Sequence, residues 1–400
     1  MNNTLRSRCG AMLGMLLFMA LGYFLLSELM DGSLWKHQAQ DSYTLQALNW
    51  LQGRTWLLNG EGYTWLELAI YEGKYYVSFP PLPSVVLVPL VLVFGENVPN
   101  NLLVGVYGLV SAALAFRVME QAGRSPKTAA FWGVFTVFGS NMLWMTTYGG
   151  VWFQAQALNM ALCLGAVLAA QKQKRGAACA LLALAVGCRP FSAIYLAVYF
   201  IYLVYERRRA GWFNALKVCL RHAVIPVCIA LVYMLYNYIR FDNPLEFGHN
   251  YLPEFTEAEH GQFHISYLWS NWKRLWLEPV WIENGRLQFT HFNGFMFYIA
   301  NPLFLVLFAS QLRALWRHRV TAEGVFLTVA MMLNLLALCM HKTLGGWQFG
   351  ARYTCDLLPF ALLYLARKDP PRAPTGAELF TGIAAVAFNA YGVLYMYSIT

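Results

Sequence analysis

From Gly10 to Ser27 the chain carries no charged residue, and apolar runs of similar character recur to its C-terminal end. Lipid can cover such runs; a water-soluble globule cannot. Hydrophobic residues fill 58% of 400 positions and only 12% are charged, too little polar surface for a fold in water. The expected class is therefore an all-α polytopic membrane protein, one transmembrane unit over 1–400. A net charge of +9 does not point to nucleic acid, because the basic residues are dealt out one loop at a time. Most of the eight Cys lie within apolar runs and no CxxC pair occurs, which indicates neither a disulfide framework nor a zinc site.

Arg6 and Arg8 precede the first run, which is long for a signal peptide and has no small-x-small site after it. It is expected to remain as a first helix with its N-terminus inside. Later spans are predicted at 99–117, 128–147, 151–170, 176–188, 191–205, 213–239, 294–312, 323–341, 356–366 and 377–398, about 11 crossings in all, with the C-terminus outside. The run Leu82–Phe94 holds Pro83 and Pro89 and is too short to span, so it is predicted to be re-entrant. This topology puts Arg6, Arg8, Arg117, Arg124, Lys127, Lys172, Lys174, Arg175, Arg207, Arg208, Arg209, Lys217, Arg221, Arg313, Arg317, Arg319, Arg367, Lys368 and Arg372 inside, 19 of the 29 Lys and Arg. Only Glu120, Glu206, Glu323, Asp369 and Glu378 of the 20 acids join them. Such asymmetry is what the positive-inside rule requires of a membrane protein in a cell membrane.

Two large external segments follow from it, 29–98 and 241–293. In the first, Tyr43, Ala47, Trp50 and Leu51 recur at helical spacing, which predicts an amphipathic helix over Asp41–Arg54 lying on the membrane. Leu68–Ser78, with its Glu72-Gly73 turn, reads as a hairpin. In the second, Leu268, Trp272, Leu275 and Trp276 predict another interfacial helix. The external Trp residues read as an interfacial belt.

Asp41 is the leading candidate for chemistry. A carboxylate at a water–lipid boundary can take a proton from an attacking hydroxyl, though the same residue is well placed to cap the helix after it. Asp31, at the end of the first span, is a boundary residue with a possible direct role. Lys74, beside Tyr75, and Arg352, beside Tyr353 after the glycine-rich run Gly345–Gly350, are the external cations best placed to hold an anion; Lys342 is a weaker candidate. His249, His260 and His264 have irregular gaps and no HExxH, so no metal is indicated. G-x-x-x-x-G-K-[ST] and G-x-S-x-G are absent, so nothing supports ATP-driven transport or a serine hydrolase elbow.

Four segments in order carry a resemblance: Asp41-Ser42-Tyr43 through Gly53; Lys74-Tyr75-Tyr76-Val77-Ser78-Phe79-Pro80-Pro81; Arg189-Pro190 between two short helices; and Gly345 to Arg352-Tyr353 leading to Leu358-Pro359. Together they resemble the GT-C superfamily of membrane glycosyltransferases, most of all family 39 and its bacterial relatives, which include protein O-mannosyltransferases and aminoarabinose transferases of lipid A. The resemblance implies a GT-C-like helical fold and a polyprenyl-phosphate sugar donor. Its sugar would pass, with inversion, to a lipid, glycan or protein acceptor outside, with Asp41 as general base; no cofactor is indicated by the residues, and a divalent cation requirement is left open. The family often has Glu where this chain has Ser42, and commonly an Arg, thought to help hold the donor phosphate, where this chain has Asn100-Asn101. That shifts weight to Lys74 and Arg352. A flippase of lipid-linked sugars and a non-catalytic assembly subunit are the alternatives.

Overall fold

In the computed structural model residues 3–368 and 371–399 are described; Asp369, counted above among the inner charges, lies outside them. The chain runs α1 (Asn3–Leu29), α2 (Ser42–Leu51), β1 (Leu68–Tyr71), β2 (Lys74–Val77), α3 (Leu82–Phe94), α4 (Asn100–Gln121), α5 (Pro126–Val137), α6 (Met142–Met145), α7 (Val151–Gln171), α8 (Arg175–Val186), α9 (Ser192–Arg207) and α10 (Trp212–Phe241). It continues through α11 (Pro253–Thr256), α12 (Ser266–Leu277), β3 (Val280–Glu283), β4 (Arg286–Phe289), α13 (Phe297–Ala300), α14 (Leu303–Trp316), α15 (Ala322–Cys339), α16 (Leu358–Lys368) and α17 (Gly376–Ile399).

Among the described residues, six helices are long and apolar enough to cross a membrane: α1, α4, α7, α10, α15 and α17. The other five expected spans are shorter or broken. At about 1.5 Å per residue, the 12 residues of α5 or α8 reach roughly 18 Å, well under a hydrocarbon thickness of about 30 Å. The predicted span 128–147 ends as a helix at Val137, and 294–312 is interrupted before Pro302. Backbone freed inside a membrane protein must be satisfied by other protein groups. Here Asn141 and Asn301 do this for each other's segment: the Asn141 amide donates to Asn301 Oδ1 at 2.8 Å, and Asn301 Nδ2 donates to Asn141 Oδ1 at 3.1 Å. Ala351 N also donates to Asn141 Oδ1 (2.9 Å), and Asn141 Nδ2 donates to Asn389 of α17.

The core is built on α7, 72% of whose apolar window is buried, packed between α4 and α8. By contrast α10 is only 17% buried and presents Leu220, Val224, Leu231 and Leu235 outward, as a lipid-facing helix does. α3 has the predicted limits and 13 residues, consistent with a re-entrant segment. The β1–β2 hairpin forms in the predicted place, and its turn residues Glu72 and Gly73 both have positive φ (49° and 72°), the geometry of a type I′ turn. β3 and β4 make a second hairpin in the second external segment, where the sequence predicts only an interfacial helix.

The expected helix near Asp41 forms as α2, and much of its apolar face is packed on protein. Tyr43 and Ala47 are fully buried against the cluster that holds Leu87 and Val91 of α3. Ser84 Oγ of α3 bonds the Tyr43 carbonyl (3.0 Å), and Gln46 and Trp50 both donate to the Tyr236 hydroxyl of α10. Of the apolar positions that set the periodicity, Tyr43 and Ala47 are turned to protein, Trp50 is half-buried and Leu51 stays exposed. α12 is docked likewise, through Asn271 Nδ2 donating to the Cys339 and His341 carbonyls.

Candidate functional site

The two long loops and the glycine-rich segment after α15 meet at the end of the bundle opposite its basic turns. They enclose a cavity of about 1190 Å³. Its titratable walls are Glu67, just before β1; Arg189, in the α8–α9 turn; Glu246, His249 and Glu254, in the second long loop; and His341 and Arg352, after α15. Aromatic rings, among them Phe79, Trp152, Phe153 and Tyr353, fill much of the rest, and Val393, Met396 and Ile399 of α17 give one apolar side.

Arg352 is held by its own loop. Gly345, with φ +115°, turns its carbonyl to accept from Nε (3.0 Å) and Nη2 (2.8 Å) of Arg352. A Cβ at Gly345 would sit 2.9 Å from Nε, so the glycine is required both for the turn and for the approach. Nη1 is buried and has no hydrogen-bond partner. Burial, and to a smaller extent the charge of Arg189, disfavour the guanidinium. Arg189 and Arg352 lie over the ring of Tyr353, at 4.4 and 4.7 Å from its centre. Two cations so close, one with an unused buried donor, have the chemistry to hold an anion.

Asp356 fixes the other cation. Its buried carboxylate accepts from Arg189 Nε (3.0 Å), Gln156 Nε2 (3.0 Å) and Asn159 Nδ2 (3.3 Å), while Asn159 Oδ1 accepts from Ser192 Oγ. The polar row Gln156-Asn159 on α7 thus anchors a turn that sequence alone shows only as Arg-Pro.

Glu67 is the carboxylate turned to the cavity near these cations. Trp152 Nε1 donates to its Oε2 at 2.9 Å, and Ser78 Oγ donates to its carbonyl at 3.0 Å. Burial among the walls raises its carboxyl above the usual range; the Trp152 hydrogen bond and the charge of Arg352 draw it back. His249 and His341 are held neutral, lowered to about 4 and about 3, first by burial.

Of the residues singled out from sequence, Arg352 and Tyr353 line the cavity; Asp41, Lys74, Tyr75, Asp31 and Lys342 do not. Asp41 is 2% exposed and caps α2, accepting from Thr44 N (3.2 Å), Thr44 Oγ1 (2.5 Å) and Asn100 Nδ2 (3.0 Å). Burial raises its carboxyl, and the bonds from Thr44 and Asn100 oppose that. Its neighbour Gln40 is the wall residue, bonded by the Tyr148 hydroxyl. Lys74 is exposed on the hairpin, 4.6 Å from the centre of the Trp56 ring. Tyr75 packs on Gly60, where a Cβ would lie 2.2 Å from the Tyr75 Cβ. Asp31 accepts from the Tyr397 hydroxyl at the rim, and Lys342 Nζ donates to the Glu254 carbonyl.

The sequence reading missed Glu67, Asp356, His249 and His341 as wall or support residues. In sequence Arg189 is legible only as part of the Arg189-Pro190 pair. An acid at the start of an apolar span, as Asp356 is, was a usable signal, because a charge there must be paired. No spacing marks the other three.

No family model matches the chain, and no curated protein matches it. Among solved structures it is similar to ArnT from Cupriavidus metallidurans bound to undecaprenyl phosphate, with 13% identity and a TM-score of 0.49 over 94% of this chain and 63% of that one. The apo state of the same protein gives 15% identity and a TM-score of 0.47 over 88% and 59%. The chain therefore spans about three-fifths of the length of the solved structures it resembles.

Proposed function

We propose that this chain is a membrane glycosyltransferase of the GT-C type. It moves a sugar from a polyprenyl-phosphate carrier to an acceptor hydroxyl on the outer side of the membrane, with inversion. The observation that carries the reading is the unpartnered buried Nη1 of Arg352, beside Arg189, on a cavity that also presents Glu67. In this reading the donor phosphate lies against Arg352 and Arg189, which stabilise the charge that develops as it leaves. The prenyl tail leaves along the apolar side made by Val393, Met396 and Ile399. The acceptor oxygen attacks the anomeric carbon, its proton passes to Glu67, and the carbon–oxygen bond to the phosphate breaks. The sequence expectation gave the proton to Asp41. Its carboxylate is spoken for by three hydrogen bonds and stands behind the wall, so Glu67 takes that role here and Asp41 holds the loop that carries Gln40.

The test is transfer by the purified full chain in vesicles, with a panel of polyprenyl-phosphate sugars supplied only on the loop side. Glu67→Gln is expected to slow turnover by about 10²–10⁴, the usual worth of a general base. Arg352→Ala is expected to lose about 10²–10³, as for removal of a donor to developing charge. Full turnover by Glu67→Gln, or carrier movement without consumption of donor, overturns the reading; the second outcome favours a flippase.

A further inference from the structure

A second cleft opens at the basic end of the bundle. Its distance from the outer cavity follows from α7: Ala155 lines the cavity and Ala166 is the first α7 residue to line the cleft, 11 residues or about 16 Å along the helix. Its walls are apolar and come from α7, α8, α9, α15 and α16. Small side chains, Ala170, Ala178 and Ala330, leave the space, and Leu182, Val198 and Phe326 border it. On α9 the lining runs from Glu206 back to Tyr195, about 16 Å of helix.

Ionised side chains stand only at the mouth, and they balance. Arg175 Nη2 pairs with Glu206 Oε2 at 2.8 Å, and Arg367 Nε with Glu323 Oε1 at 3.4 Å. The two pairs are contributed by different helices, yet Glu206 and Glu323 are near enough to feel each other's charge, and all four groups act on Tyr202. An apolar slot of this length excludes a water-soluble ligand and fits a hydrocarbon chain. The mouth selects the head. A net anionic head would face two carboxylates. A quaternary ammonium has no N–H with which to bond them. A primary ammonium set between Glu206 and Glu323, with its phosphate toward Arg175 or Arg367, matches both signs.

We propose that this cleft binds one zwitterionic phospholipid with a primary-ammonium head, one acyl chain seated in the slot and the head at the Arg175, Glu206, Glu323 and Arg367 mouth. The site is independent of the transfer reaction proposed above.

The experiment is native mass spectrometry of the detergent-purified full chain, with its thermal midpoint followed in parallel, after addition of phosphatidylethanolamine, phosphatidylcholine, phosphatidylglycerol or a polyprenyl phosphate. One phosphatidylethanolamine is expected to be retained at least tenfold better than the other three and to raise the midpoint. Ala178→Phe, which fills the slot, is expected to abolish retention. Glu206→Gln with Glu323→Gln is expected to erase the preference over phosphatidylcholine while a chain still enters. Each variant is used only if its lipid-free midpoint matches the parent; if Ala178→Phe fails that, Ala330→Leu replaces it. Equal retention of phosphatidylglycerol or phosphatidylcholine, preference for the polyprenyl phosphate, or retention untouched by filling the slot overturns the proposal.

Discussion

Asn100 and Asn101 stand where the resembled family commonly carries an arginine. From sequence they read as a loss. Both are fully buried, and both work as clips. The Asn100 side chain accepts from the Gln38 N–H, donates to the Gln38 carbonyl and donates to Asp41, while Asn101 donates to the Ser33 carbonyl and accepts from Gly149 N. Gly149 is needed for this closeness, since a Cβ there would lie 2.4 Å from the Asn100 backbone. A cation at the cavity comes instead from Arg189, far along the chain. The legibility of the site divides on this point. Arg352 was visible because glycines flank it, whereas Glu67 and Arg189 became site residues only through packing that no local pattern encodes. Asp41→Ala is therefore expected to destabilise the protein by about 1–2 kcal/mol through the lost cap, read as a lower unfolding midpoint in detergent. Asp41→Asn is expected to keep most transfer. Loss of transfer in Asp41→Asn with an unchanged midpoint would return the proton-accepting role to Asp41.

Among the elements, those that pair with themselves were the easiest to read. The β1–β2 hairpin and the long helices needed only turn chemistry and hydropathy. The broken spans were not legible, because their freed backbone is satisfied by Asn141 and Asn301, which are 160 residues apart. The second loop and the glycine-rich segment are joined by His341, whose Nδ1 bonds the Thr343 carbonyl (2.7 Å) and whose Nε2 meets Gln262 Nε2 at 3.2 Å. His249 binds the Ser78 carbonyl of the first loop. Both imidazoles are held neutral in the fold, at about 4 and about 3, against an ordinary 6.5. The unfolded chain thus takes up protons first as pH falls, so the stability they favour is complete above 6.5 and is lost as pH drops toward 4 and below. The unfolding midpoint is expected to be level above pH 6.5 and to decline under it, with His341→Gln flattening part of the slope. A midpoint that rises on acidification would contradict the neutral assignment.

Taken whole, the molecule separates a loop end that encloses a large cavity from a basic end. The charge count in the sequence already placed these on opposite sides, although it could not say which of the eleven expected crossings are complete helices. A cysteine introduced as Lys74→Cys in a variant lacking the exposed Cys9 and Cys228 is expected to react with an impermeant maleimide on intact cells. Arg208→Cys in the same background is expected to react only after permeabilisation. The reverse pattern would put the cavity on the other side. The asparagine bridge has a further bearing, on biogenesis. Its participants are Asn389 of α17, Asn301 just after α13 and Asn141 just before α6, and Asn389 also donates to the Ala300 carbonyl. A nascent chain halted before α17 would leave that carbonyl without this donor in an oily interior. Closure of the bundle is thereby tied to α17, and a product truncated before it would present quality control with a half-latched bundle.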